Sequence, residues 1–199
     1  MQYSLCMYVK LNEIANLISG YSFRSALNSS KEGVRVLQAK DIRGSEITDT
    51  TKMSSIEKTF SSTNSYVQEN DILLTSRGAS FGSFPAAIFV SKETGVIASS
   101  SVYILRIKDT TLVLPDYISY YFNSFYGQKK LIEIARGSRI KNIPLKELAE
   151  ITIPIPSLEK QCILANLSHN IIQQRELNEK RNIILGDLSD TIFREPQTL

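Results

Sequence analysis

"ITIPIPSLEKQ", residues 151–161, is the stretch on which the organisation of this chain turns. An alternating apolar run ends at Pro154 and Pro156, neither of which can donate to a strand ladder, so a strand closes here. Ser157 follows, and a serine at this position can start a helix by accepting from amides of the first turn. From Leu158 to Phe193 there is no proline and one glycine, Gly186. A helix of that length reaches on the order of 50 Å at 1.5 Å per residue. Packing against another long helix is what makes such a length stable. Leu164, Leu167 and Ile171 are spaced 3 and 4, and Leu185, Leu188 and Ile192 resume the same phase. Gln174, Asn178 and Arg181 occupy that phase between them, so the pattern predicts a coiled-coil-like arm with a polar middle. A helix lying along its own body is the alternative.

Upstream of the arm the punctuation is that of strands and loops. "VKLNEIANLISG" (9–20) starts with a short amphipathic element and ends at Gly20, a turn or helix cap. "GVRVLQAKDI" alternates Val34, Val36, Ala39 and Ile42 with polar residues, as a half-buried strand does. The Ser/Thr-rich run from Ile47 to Ser65 reads as loop. Ile72–Leu74, "SFPAAIFVS" and "ASSSVYILRIK" read as strands, with Gly95 turning between the last two. Pro115 suits the first turn of a helix whose face carries Ile118, Tyr121, Phe122 and Phe125, ended or kinked near Gly127 and resuming to Gly137. A basic loop, a short helix from Pro144 and the proline-ended strand complete the body. The expected fold is α+β: a mixed, mostly antiparallel sheet with packed short helices over residues 1–155. One long coiled-coil-like spacer or dimerisation helix then follows over 156–195.

The chain has 199 residues, 42% apolar and 22% charged. A body of this size buries roughly two-thirds of its unfolded surface without a metal or disulfide. Cys6 and Cys162 share no metal-ligand spacing and read as reduced thiols of a cytoplasmic protein. "MQYSLCMYVKLNEI" has no signal-peptide pattern, and no apolar run approaches the ~18 residues of a membrane span. Catalytic signatures are missing: no GxGxxG, no GxxxxGK[ST], and no Asp or Glu followed two residues on by Lys. His169, the single histidine, falls in the arm and is expected to face solvent. No catalytic residue, metal or cofactor is therefore assigned. The net charge of +3 is uneven, because residues 127–146 carry Lys129, Lys130, Arg136, Arg139, Lys141 and Lys146 against Glu133 alone. Such a run is either a solvated face or a phosphate-contacting patch.

Taken in order, several pieces resemble the DNA-specificity subunit of type I restriction-modification systems. "VKLNEIANLISGYSF" (9–23) is similar to the family's V-L-x-x-I-x-x-G-x-x-F opening, and "VRVLQAKDI" (34–42) to the strand leading to "DI". "ENDILLTSRGASFG" (69–82) resembles its GDIL-x-x-x-RG-x-x-G segment, with Asn70 where glycine is commoner. "YILRIK", "DYISYYFNSF", "ARGSRIKNIPLKEL" and "IPIPSLEKQ" then follow in the family's sequence order. The resemblance implies a target-recognition domain followed by a spacer helix. Members usually carry two such halves with antiparallel helices; one half implies a homodimer reading a bipartite, palindromic site on double-stranded DNA. It also implies a methyltransferase subunit and, for cleavage, a translocating endonuclease subunit as partners, which would bind S-adenosylmethionine and ATP. In this context Arg136, Ser138, Arg139, Lys141 and Asn142 become DNA-contact candidates, because Arg and Lys neutralise phosphate, Arg forks onto guanine and Asn pairs with adenine. Arg77 and Ser80, in a glycine-flanked loop, are further candidates, followed by Lys40, Arg43 and Tyr21. Two other classes stay open: a small DNA-acting enzyme, and a helical protein-interaction adaptor that binds no DNA.

Overall fold

The computed structural model describes residues 6–23, 33–56 and 64–194, the last three as helix backbone only. The short amphipathic element expected at the start of 9–20 is a single helical turn, and the rest of the segment up to Ser19 is strand. β1 (Met7–Lys10) passes through a single helical turn, α1 (Leu11–Ile14), straight into β2 (Ala15–Ser19). Leu11 and Ala15 are buried, so the turn serves to swing the chain from one sheet to the next.

β3 (Val34–Leu37) ends sooner than its alternation suggests. Val36 and Leu37 are both buried, and the chain turns as a 3₁₀ helix over Ala39–Asp41, where the Gln38 amide donates to Asp41 Oδ2 at 2.8 Å. Two short strands, β4 (Glu46–Ile47) and β5 (Ser54–Ile56), lie inside the region expected as loop, whose residues 57–63 fall outside the described ones. β6 (Ile72–Thr75), β7 (Arg77–Gly78), β8 (Ala86–Phe89), β9 (Ile97–Ala98) and β10 (Val102–Ile107) follow. Asn70, just before β6, has φ +68°, a left-handed conformation that asparagine tolerates and glycine adopts freely. That is the physical reason glycine suits this position.

After the strands come α2 (Pro115–Asn123), α3 (Phe125–Ile134), β11 (Lys141–Asn142), α4 (Leu145–Ala149), β12 (Thr152–Ile155) and α5 (Leu158–Arg194). The helical break is at Ser124, whose hydroxyl accepts from the Gly127 amide at 3.2 Å and caps α3. Gly127 instead lies against α2, where a Cβ would sit 2.1 Å from the Tyr121 carbonyl oxygen. Because the chain restarts at Ser124 the helical phase is lost, and Phe125, expected on the buried face, is 65% exposed. α3 stops at Ile134, short of Gly137.

A five-stranded sheet, ordered β2-β10-β6-β8-β4, is antiparallel except for the β4–β8 pair. Three strands, β5-β3-β9, form a second sheet, and β1–β12 and β7–β11 form two-stranded ribbons. Strand alternation sorts the core into two layers. Tyr103 and Leu105 of β10, with Ile72 and Leu74 of β6, face α2, α3 and α4. Val102, Ile104 and Leu73 face the other way, onto Leu37, Val67 and Val96. β6 is covered on both faces, which is why it reads as an unbroken apolar run.

The Ser157 carbonyl accepts from the Gln161 amide at 2.9 Å and opens α5. Gln161 is fully buried: Nε2 donates to the Leu112 and Pro156 carbonyls at 3.0 and 2.9 Å, and Oε1 accepts from the Leu114 amide at 2.9 Å. Ala165 is buried one turn on. His169 does not face open solvent, since its Nδ1 is 3.0 Å from the Tyr120 hydroxyl and 3.6 Å from Glu46 Oε1. It falls on the same stripe as Gln161 and Ala165, the face turned to the body. Leu167 and Ile171 are exposed, as are Leu185 and Leu188 farther along; Leu164, 36% exposed, edges a cleft against the tyrosines of the body, and the Ile192 side chain lies outside the described residues. Every residue from Gln173 to Thr191 is exposed.

Candidate nucleic-acid interface

β10 runs antiparallel to both β2 and β6, so the ends of β2 and β6 and the start of β10 share one end of the sheet. Parallel pairing of β3 with β9 carries the end of β3 to the same place. The turn between β9 and β10, Ser99–Ser101, is the hub there. The Tyr21 amide donates to the Ala98 carbonyl at 2.7 Å, and the Tyr21 carbonyl accepts from the Ser100 amide at 2.9 Å. Ala39 donates its amide to Ser101 Oγ at 3.2 Å, and Ser76 donates its amide to the Ser101 carbonyl at 2.9 Å. Gly20 has to be glycine for this contact, because a Cβ would lie 2.0 Å from the Ser99 carbonyl oxygen.

The basic loop joins through Ser76. The Ile143 amide donates to the Ser76 carbonyl at 2.9 Å, and the Tyr103 hydroxyl donates to the Ile143 carbonyl at 2.6 Å. Burial pushes the Tyr103 hydroxyl above its ordinary pKa, and the positive charge of Arg77 offsets part of that rise. β7 and β11 pair antiparallel, Gly78 opposite Lys141 and Arg77 opposite Asn142. Arg136 and Asn142 exchange two main-chain hydrogen bonds at 2.8 and 2.7 Å and close the loop between them.

Three of the candidate groups thus share one end of the sheet: Arg77 with Ser80, the Arg136–Asn142 loop, and Tyr21 with Lys40. They are not electrostatically alike. Arg136 is engaged by Glu147, Nη2 lying 3.0 Å from both carboxylate oxygens. Arg77, Arg139, Lys141, Lys40 and Arg43 form no ion pair among the described residues. Lys40 Nζ donates to Ser54 Oγ at 3.1 Å, and Arg43 Nε to the Lys40 carbonyl at 3.0 Å. Arg43 precedes Gly44, where a Cβ would lie 3.9 Å from Glu176 Oε1 of α5, so this turn lies toward the arm. Ser80 is taken up in its own turn, the Ser80 amide donating to Ser83 Oγ at 3.0 Å. Ser138 and Arg139 are exposed at the loop tip.

Sequence reasoning missed Ser76 and Ser99–Ser101, which hold the loops together. The serine run "ASSSVY" was the available signal, and it reads equally well as the start of a strand. Among the described residues no cluster of His, Cys, Asp and Glu could hold a metal ion, and no helix is long and apolar enough to cross a membrane. A cleft of about 540 Å³ at the foot of α5 is lined by Tyr8, Tyr117, Tyr120, Tyr121, Lys130 and Leu164 among others. Its wall is mostly aromatic, with Lys130 the one cationic side chain among the described residues that line it.

Residues 4–185 match the model of the type I restriction modification DNA specificity domain. The chain belongs to that family. Among specificity-family proteins, the type I restriction enzyme StySPI specificity subunit of Salmonella potsdam is 21% identical over 174 residues, 86% of this chain and 37% of that protein. The HsdS subunit from Thermoanaerobacter tengcongensis has the same fold, with a TM-score of 0.64 and 20% identity over 92% of this chain and 40% of that one. A chain from a structure of type I R-M system assembly and conformational transition gives a TM-score of 0.69 and 21% identity, covering 96% of this chain and 44% of that one. The chain therefore spans less than half the length of these specificity-family relatives.

Proposed function

We propose that this chain is a half-size, non-catalytic specificity subunit that reads double-stranded DNA with the loop end of its sheet. Two copies would pair through α5, so that two-fold symmetry makes the recognised site a bipartite palindrome. The observation that carries the reading is the meeting of Arg77 and Lys141 on one short ribbon with Arg139 in the loop leading into it, none of them ion-paired among the described residues. Unpaired cations on a fixed scaffold are what phosphate contacts require. A cytoplasmic methyltransferase subunit would dock on the dimer and supply the chemistry with S-adenosylmethionine. An ATP-driven translocating endonuclease subunit would join for cleavage.

The test is co-expression and co-purification with a type I methyltransferase subunit from the same organism, followed by mapping of methylated positions. Two half-sites related by symmetry are expected. A continuous or asymmetric site, or a monomer at micromolar concentration, overturns the homodimer. The exposed apolar face of α5 favours a second reading, a helical adaptor that binds no DNA. DNA affinity that falls steeply with salt excludes it; affinity insensitive to salt supports it.

A further inference from the structure

Two large apolar side chains stand in the most cationic part of the loop end. Phe81 is 49% exposed and Ile140 is 67% exposed. Both are held in defined turns. The turn carrying Phe81 is closed by the Ser83 amide on the Ser80 carbonyl at 3.2 Å, and Gly78 lets it fold, since a Cβ there would lie 2.2 Å from Ser83 Oγ. The Phe81 ring leans on Phe125, centroids 5.2 Å apart and planes tilted by 50°. Ile140 sits at the tip of the loop that starts at Gly137, where φ is +119° and a Cβ would lie 2.3 Å from the Ile140 carbonyl oxygen.

Because Gly78 pairs with Lys141, the two turns extend from the same two-stranded ribbon. Arg77 and Lys141 belong to that ribbon, and Arg139 immediately precedes Ile140. Phosphate neutralisation gains nothing from an exposed phenyl ring or isoleucine. A duplex offers such groups one apolar feature in its wide groove, the 5-methyl of thymine, and that groove admits a two-stranded ribbon.

We infer that Phe81 and Ile140 are specificity-determining side chains that touch thymine methyl groups in the major groove while the flanking cations hold phosphates. The inference rests on the DNA-binding reading above. Phe81 is braced by Phe125 along one side, which suits edge contact better than insertion between bases.

The test uses the full chain and duplexes of its mapped site in which each thymine in turn is replaced by deoxyuridine, which removes only the methyl. At one or two thymines per half-site the wild-type chain is expected to lose about threefold to tenfold in affinity, the worth of one to two buried methyls. That penalty disappears in Ile140→Ala or Phe81→Ala and persists in Arg139→Ala, which instead flattens the salt dependence. Deoxyuridine without effect at every position, with a steep salt dependence intact, overturns the apolar reading and leaves DNA binding standing. No salt-dependent binding to any duplex overturns the DNA-binding reading itself. An equal loss on thymine and deoxyuridine duplexes, with reduced DNA bending by energy transfer, makes the pair a wedge that kinks the duplex and overturns methyl contact. Since the decisive change is made in the DNA, the result does not depend on a variant folding well.

Discussion

The loop end of the sheet and the outer half of α5 are both open to solvent, but they are built in opposite ways. At the loop end the main chain is tied across long sequence separations, Tyr21 to Ser100, Ser76 to Ser101 and Ile143 to Ser76. The side chains it presents are mostly polar or cationic. On α5 the main-chain bonds stay within the helix, and the outer half exposes Leu177, Ile183, Ile184, Leu185 and Leu188. One surface fixes charges in place and leaves most of them, Arg77, Arg139 and Lys141 among them, without an ion pair among the described residues, as a polyanion demands. The other offers apolar side chains on a regular lattice, and water is a poor neighbour for those. The comparison teaches that exposure alone does not define a partner; the chemistry left unsatisfied does.

Changes at the arm should break this contrast most strongly. Leu167→Lys with Leu188→Lys places charges in the seam that two copies would share, and removes four leucines from it. Self-association is expected to weaken more than about a hundredfold, read by sedimentation equilibrium, while the unfolding transition of the body is unchanged. A dimer of undiminished stability would place the interface elsewhere. Next comes the joint. Gln161→Leu leaves the Leu112 and Pro156 carbonyls and the Leu114 amide without their partner, a loss of about 3 kcal/mol or more, measured by urea unfolding. At the loop end, Arg139→Ala should weaken DNA binding by about 1–3 kcal/mol and reduce the slope of log affinity against log salt by about 1. Arg136→Ala should do less, because Glu147 already neutralises that guanidinium. Equal effects would mean that the Arg136–Glu147 pair opens on DNA.

The smallest expected effect is one of pH. Burial pushes the Tyr117 hydroxyl, which donates to the Pro154 carbonyl at 2.6 Å, up to about 12. Its pKa is raised on folding, so its contribution is complete below about pH 10, where an unfolded tyrosine begins to ionise, and is lost between there and about 12. Tyr117→Phe should flatten the alkaline limb of a stability-against-pH curve over that window. An unchanged limb would assign alkaline unfolding to other groups.

What was legible in the sequence was local. Proline at 154 and 156 marks the strand end through chemistry that acts within a few residues. Ile72–Leu74 was legible for the same reason. The helix does start after Ser157, but through the Ser157 carbonyl, which any residue would supply, and not through the hydroxyl cap expected there. The loop end was legible in its parts but not as a whole, since Ser76–Ser101 and Tyr21–Ser100 bonds join residues far apart by means of main-chain groups that every residue possesses. Arg136 looked free because its partner, Glu147, lies 11 residues on, across a turn and into α4. His169 was misread because the stripe that packs on the body, Gln161, Ala165 and His169, is not apolar and leaves no periodic signal. Phe125 was misread because a helix was assumed to continue past Ser124.

The Ser99–Ser101 hub has a consequence for how such a domain can change. Tyr21, Ala39 and Ser76 all hang from it by main-chain groups: the Tyr21 carbonyl accepts from the Ser100 amide, the Ser76 amide donates to the Ser101 carbonyl, and the Ala39 amide donates to Ser101 Oγ. A main-chain bond is indifferent to the side chain attached to it, so the reading loops can be rewritten while the mounting stays as it is. The turn works as a socket, and grafting a foreign loop between Ser76 and Phe84 should alter what is read without altering where the reader stands.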